Sequence, residues 1–206
     1  MELILVRHGE TKGKSSERLY GSTDIELSEI GCMQMKLAGD ALKDLSFDRI
    51  LTSPLSRSIN GAKLVTNKQN SSTIIEDFTE IDFGLWEGLT FEEVKQKDPD
   101  NYAEWKKGDL EFTFPSGDSK KTFFNRIAKT AKKELNDYNG STLAVLHKGV
   151  IKGIIAELTG KHITEMSYYH IELGSIHRLI KDADGWHIIN SNETAHLKNY
   201  RIEHSK

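Results

Sequence analysis

Apolar residues in this chain fall into two kinds of pattern that alternate along its length. Leu3-Ile4-Leu5-Val6 and Thr142-Leu143-Ala144-Val145-Leu146 are unbroken apolar runs containing β-branched residues, the pattern of strands covered on both faces. Residues 48–52 read as a further short strand and 73–75 as a weak one. Residues 174–180 and 186–190 read as two more, a hairpin turning at Asp184-Gly185. Between these runs the apolar spacing is helical. Ser28 fits as the N-cap of a helix over 29–45, with Met33, Leu37, Ala41 and Leu45 on one face. Pro54 fits the first turn of a helix carrying 55–65. Shorter helical pieces are expected over 90–97 and 101–107. The turn Pro115-Ser116-Gly117-Asp118 then caps a helix running to about Tyr138, with Phe124, Ile127, Ala131 and Leu135 along one face. Asn139-Gly140 ends that helix, and a last one follows the second apolar strand through Leu158. Strands alternating with helices predict an α/β domain, and no internal repeat or low-complexity linker divides it.

Composition narrows the function classes. The chain has 206 residues, 37% of them hydrophobic, and a formal net charge of -3, which argues against a dedicated nucleic-acid or anionic-membrane binder. No apolar run approaches the length of a membrane span, and the first strand begins at the N-terminus with no signal-peptide pattern before it. The single cysteine, Cys32, excludes an internal disulfide and a cysteine-based zinc site. A cytoplasmic protein acting on small molecules is expected.

The candidate chemistry sits where strands end. Arg7-His8-Gly9 follows the first strand, and His147-Lys148-Gly149 follows the second apolar one, so both histidines are expected at one edge of a sheet. Ligands of open α/β sheets gather beyond the carboxyl ends of strands, and an arginine beside a histidine there suits an anion site. Ser53-Pro54-Leu55-Ser56-Arg57 joins a strand to a helix start, a further place for anions. Arg57 reads locally either as part of that site or as an ordinary surface arginine. The aromatic loop from Glu80 to Gly88 offers Glu80, Asp82 and Glu87, any of which could be a partly desolvated general acid, and spacing does not choose among them. Gly9-Glu10-Thr11-Lys12-Gly13-Lys14-Ser15 superficially suggests a phosphate-binding Walker loop. It has three residues between its glycines where that motif needs four, so the reading is rejected.

Taken together, these segments resemble the histidine phosphatase superfamily. The resemblance rests on Arg7-His8-Gly9-Glu10-Thr11, on 18–31, on Ser53-Pro54-Leu55-Ser56-Arg57, on Phe83-Gly84-Leu85-Trp86-Glu87-Gly88, on 115–119 and on Val145-Leu146-His147. It implies the phosphoglycerate-mutase-like fold, a three-layer sandwich with a mostly parallel central sheet flanked by helices. The whole of 1–206 would form one domain, with 90–119 as a lid or substrate-specificity segment. It also implies that His8 is the nucleophile and Glu80 the proton donor, with Arg7, Arg57 and His147 around the phosphoryl group and no metal or other cofactor. His8 would then be neutral, its second nitrogen donating to a backbone carbonyl, with Gly9 allowing close backbone packing. The chain departs from the family at Gly13-Lys14, Tyr20 and Lys148, so Lys14 and Lys148 are rim candidates whose side chains either enter the pocket or point away.

The compact length favours a phosphatase over the longer mutases. The segment 18–27 resembles small-metabolite members, α-ribazole phosphatases among them. A small phosphorylated metabolite is therefore the expected partner and inorganic phosphate the product, with a homo-oligomer left open. The alternatives are a phosphoglycerate mutase and a non-catalytic member that binds a phosphorylated ligand.

Overall fold

The computed structural model describes residues 1–67, 71–136 and 138–198. Six strands form one sheet: β1 (Glu2–Arg7), β2 (Arg49–Thr52), β3 (Thr73–Ile74), β4 (Ser141–Leu146), β5 (Ile176–Asp182) and β6 (Gly185–Glu193). Their order is β3-β2-β4-β1-β5-β6. β3, β2, β4 and β1 run parallel, whereas β5 and β6 form an antiparallel edge. The expected hairpin forms, but its turn is Ala183-Asp184 and not Asp184-Gly185, because Gly185 already pairs with Asp182 as the first residue of β6. Six α-helices complete the described fold: α1 (Glu29–Ala41), α2 (Ser56–Val65), α3 (Phe91–Lys97), α4 (Pro99–Lys106), α5 (Lys120–Leu135) and α6 (Lys148–Thr159). Among the described residues, no helix is long and apolar enough to cross a membrane.

The apolar strands are covered on both sides. In β1, Leu3 and Leu5 pack into one core with Phe123 and Ile127 of α5 and Ile151 of α6. Ile4 and Val6 face the opposite core, built with Met35 and Ala38 of α1 and Ala62 of α2. Successive side chains of a strand point to opposite faces, so an unbroken apolar run needs a helical layer on each side. The result is the expected three-layer sandwich.

Several local expectations shift. The helix expected over 29–45 ends at Ala41, and its buried residues are Gly31, Met35 and Ala38, whereas Met33 is exposed. Glycine sets this rotation. A Cβ on Gly31 would collide with the Glu10 carbonyl, and one on Gly39 with that of Val65 at the end of α2. The close approach is possible only on the glycine face, so that face turns inward. The helix expected to reach Tyr138 ends at Leu135, and Tyr138 instead lies beneath the Arg49 guanidinium, 3.9 Å from its ring centroid. On that helix Phe123 is more deeply buried than the expected Phe124. Pro54 precedes α2, which begins at Ser56.

Candidate active site

The parallel strands β1, β2 and β4 end side by side, and each delivers a polar residue into one buried cluster. β1 ends in Arg7 and is followed by His8, β2 is followed by Ser53, and β4 by His147. The His8 N–H donates to the Leu146 carbonyl at 2.9 Å, extending the β1–β4 pairing into the site. The two imidazole centroids are 5.2 Å apart.

The hydrogen bonds determine the state of each ring. His8 Nδ1 is 2.7 Å from the Gly9 carbonyl oxygen, which can only accept, so Nδ1 carries the proton and Nε2 keeps its lone pair. Burial, with the charges of Arg57 and Arg7 adding to it, pushes the pKa of His8 well below its ordinary value. The ring is therefore neutral at physiological pH. A Cβ on Gly9 would overlap the Gly31 backbone, which accounts for a glycine at this turn.

His147 is arranged differently. Its Nε2 is 2.7 Å from Ser53 Oγ, and that oxygen also accepts the Leu55 N–H at 3.2 Å. Among the described residues the Ser53 hydroxyl hydrogen has no acceptor other than Nε2, so the hydroxyl donates to Nε2 and the proton of neutral His147 sits on Nδ1. That Nδ1 is buried with no hydrogen-bond partner among the described residues, and so are Nε of Arg7 and Nε of Arg57. A buried N–H without an acceptor costs about 1–3 kcal/mol, a cost that an anion accepting from these groups would relieve.

Both arginines are anchored by main-chain carbonyls. Arg7 donates from Nη1 to Ile171 O at 2.7 Å. Arg57 donates to Gly21 O and Thr23 O at 2.5 and 2.8 Å, and is fully buried. Burial lowers the Arg7 pKa to about 10, so its charge persists at neutral pH. Arg57 is thus not a surface arginine: it is buried behind the cavity, where its charge acts on His8.

The structure also separates the three acids. Glu87 accepts the N–H groups of Gly21, Ser22 and Phe83, which ties one loop to another. Asp82 caps the Gly84 N–H at 2.8 Å. Glu80 alone of the three lines the cavity beside His8, its carboxylate accepting from Ile81 N–H at 3.0 Å and Gly149 N–H at 2.8 Å. Burial raises its pKa, with the two amides, Arg57 and Arg7 opposing.

The open cavity over this cluster measures about 380 Å³, with Arg7, His8 and Glu80 at its base. Arg57 and His147 are fully buried behind them. Phe83, Phe91, Trp105 and Phe114 line its apolar wall, with Phe91 stacked on Trp105 at 4.8 Å. Lys148 reaches the cavity, but the Lys14 side chain is exposed beside Glu17, 4.0 Å away, and does not line it. Tyr20 also lines the cavity, and its ring fills the space that a side chain at Gly13 would need. The departures at positions 13 and 20 are therefore complementary.

A family model described as the histidine phosphatase superfamily (branch 1) matches residues 3–194. The chain belongs to this superfamily. The histidine phosphatase is 28% identical over 208 residues to phosphoserine phosphatase 1 of Hydrogenobacter thermophilus, the match covering 100% of this chain and 99% of that one. It is also similar to the crystal structure of α-ribazole phosphatase from Shigella flexneri, with a TM-score of 0.83, 29% identity, and coverage of 94% and 96%. Phosphoserine phosphatase from Entamoeba histolytica, solved in complex with 3-phosphoglyceric acid, superimposes with a TM-score of 0.79 at 31% identity, covering 95% and 98%. These relatives are phosphatases, and the chain is a phosphoric monoester hydrolase of the same superfamily.

Three participants in the histidine phosphatase site had no role assigned from sequence. Ser53 lies 94 positions from the ring it orients. Gly149 donates to Glu80 across 69 positions. Lys152 enters the cavity one helical turn after Lys148. The only local signals were a serine just past a strand, a glycine just past a histidine, and the i, i+4 spacing of two lysines.

Proposed function

We propose that this histidine phosphatase hydrolyses phosphate monoesters of small metabolites through a phosphohistidine on His8, without a metal. The observation that carries the proposal is the protonation state of His8: neutral, proton on Nδ1 toward Gly9, lone pair on Nε2. Nε2 attacks phosphorus, and the P–O bond to the alcohol breaks. Glu80, whose raised pKa favours the protonated form, gives its proton to the departing oxygen. The resulting Glu80 carboxylate then takes a proton from water as that water attacks the phosphohistidine. Inorganic phosphate leaves, and His8 and Glu80 return to their starting states.

Phosphoryl transfer depends mainly on positioning and on stabilising charge at the equatorial oxygens. Arg7, Arg57 and the Nδ1–H of His147 supply fixed donors for those oxygens, which would satisfy the three unpartnered N–H groups. Phe91, Trp105 and Phe114, the part of the aromatic wall from the segment 90–119, would cover the leaving group and act as the specificity lid. Turnover by a cytoplasmic small-metabolite phosphatase is the corresponding biological role.

His8→Ala tests the proposal. The variant is expected to lose p-nitrophenyl phosphate turnover and acid-labile phosphate labelling together, while EDTA leaves the unmodified enzyme active. Undiminished turnover in His8→Ala would overturn the mechanism.

A further inference from the structure

Lys148 and Lys152 stand one helical turn apart at the start of α6, and both face the catalytic cavity. Both also line a groove of about 580 Å³ that adjoins the cavity and shares Arg7 and Ser16 with it. Among the described residues, neither ammonium group has a hydrogen bond or an ion pair. Lys12, Lys107, Lys121 and Lys133, by contrast, are each paired with a glutamate.

The placement of these two lysines is electrostatically unfavourable on its own. Like charges at i, i+4 repel, and the N-terminal turn of a helix disfavours cations. Arg7 adds a third positive charge. Burial together with Lys148 lowers the Lys152 pKa to about 8, and burial and Arg7 lower that of Lys148, with Glu80 opposing. The acids of the groove are occupied elsewhere. Glu10 accepts from the N–H groups of Thr11 and Ser16, and Glu172 accepts from the Asn192 side-chain amide. The transferred phosphoryl group already has its donors in Arg7, Arg57 and His147.

We propose that Lys148 and Lys152 form a second anion subsite, selecting phosphate monoesters whose alcohol moiety carries another anionic group, a carboxylate or a second phosphate. The inference rests on the phosphatase reading above and deepens it. The lysines act on the part of the substrate that leaves, so their effect is selective among alcohols and does not fall equally on every ester.

The test compares kcat/KM within matched pairs: 3-phosphoglycerate against glycerol 3-phosphate, and fructose 1,6-bisphosphate against fructose 6-phosphate. Wild type is expected to favour the more anionic member of at least one pair, and which pair responds distinguishes a carboxylate from a phosphate. In a Lys148→Gln, Lys152→Gln double variant that preference should shrink by about ten- to a hundredfold, the range for hydrogen bonds to charged groups. No preference in wild type, or equal losses on both members of each pair, would overturn the inference while leaving the phosphatase reading intact. Failure of wild type to turn over p-nitrophenyl phosphate in a His8-dependent way would overturn both.

Discussion

Gly149→Ala should damage catalysis without damaging the fold. Gly149 lies in the first turn of α6, and its N–H donates to Glu80 Oε2 at 2.8 Å. A Cβ built there would stand inside the 3.0 Å approach that real Cβ atoms essentially never make, against Oε1 of the same carboxylate, and 3.1 Å from Phe123. The backbone and the buried Phe123 ring have little room to move, so the Glu80 carboxylate must shift, by roughly an ångström to reach ordinary contact. A displacement of that size in a catalytic group costs about a hundredfold in rate, or roughly 2.7 kcal/mol of transition-state stabilisation. Alanine is meanwhile the better helix former, by up to about 1 kcal/mol. That offsets part of the roughly 1–3 kcal/mol that overpacking a buried site costs, so the fold should survive with at most a modest loss of thermal stability. The assay is kcat against the pKa of the leaving alcohol. An alkyl phosphate needs the Glu80 proton and should lose about a hundredfold, whereas p-nitrophenyl phosphate, whose leaving group needs little protonation, should lose far less. Alkyl ester turnover within threefold of wild type would refute the reasoning, and so would equal losses on both esters.

Other outcomes follow from the same geometry. Ser53→Ala removes the hydroxyl that donates to His147 Nε2. It should weaken competitive inhibition by inorganic phosphate and lower stability by about 1–3 kcal/mol, the cost of an unsatisfied buried group; phosphate inhibition as strong as wild type would count against the tautomer assignment. Glu80→Gln should abolish the fall in alkyl ester kcat/KM as pH rises through the elevated Glu80 pKa, because that limb reports loss of the acid's proton. Buried His177, with its pKa lowered by burial to about 4, is neutral in the folded chain, Nε2–H donating to Ser175 and Nδ1 accepting the Asn192 N–H. The unfolded chain binds this proton near pH 6.5, so stability is complete above that pH and falls by up to about 3 kcal/mol as pH drops toward 4. Denaturant titrations of wild type and His177→Asn would check this: the acid slope should be shallower in the variant, and an unchanged slope would exclude His177 as a source.

Much of the fold was legible because its signals are local. Unbroken apolar runs in β1 and β4 demanded cover on both faces, and the glycine after Asp184 pointed to the hairpin, one residue away from its actual Ala183-Asp184 turn. The Ser28 cap is visible as a hydroxyl accepting the Gly31 N–H at 3.1 Å. Histidines just past two strands pointed to one sheet edge, because parallel neighbours end together.

Tertiary structure decided what local pattern leaves degenerate. Helix α1 carries two apolar stripes, and its rotation was set by the close approach of Gly31 to Glu10 and of Gly39 to Val65. Three acids share one loop, and Glu80 became the cavity residue because Glu87 and Asp82 are held by backbone amides elsewhere. The Ser53–His147 and Glu80–Gly149 contacts join residues far apart in sequence through the strand order, which no local periodicity encodes. The sequence by itself determined which segments become strands and helices and which residue types stand at their ends. Long-range packing decided which side chains meet, since a contact across the sheet depends on the placement of every element between.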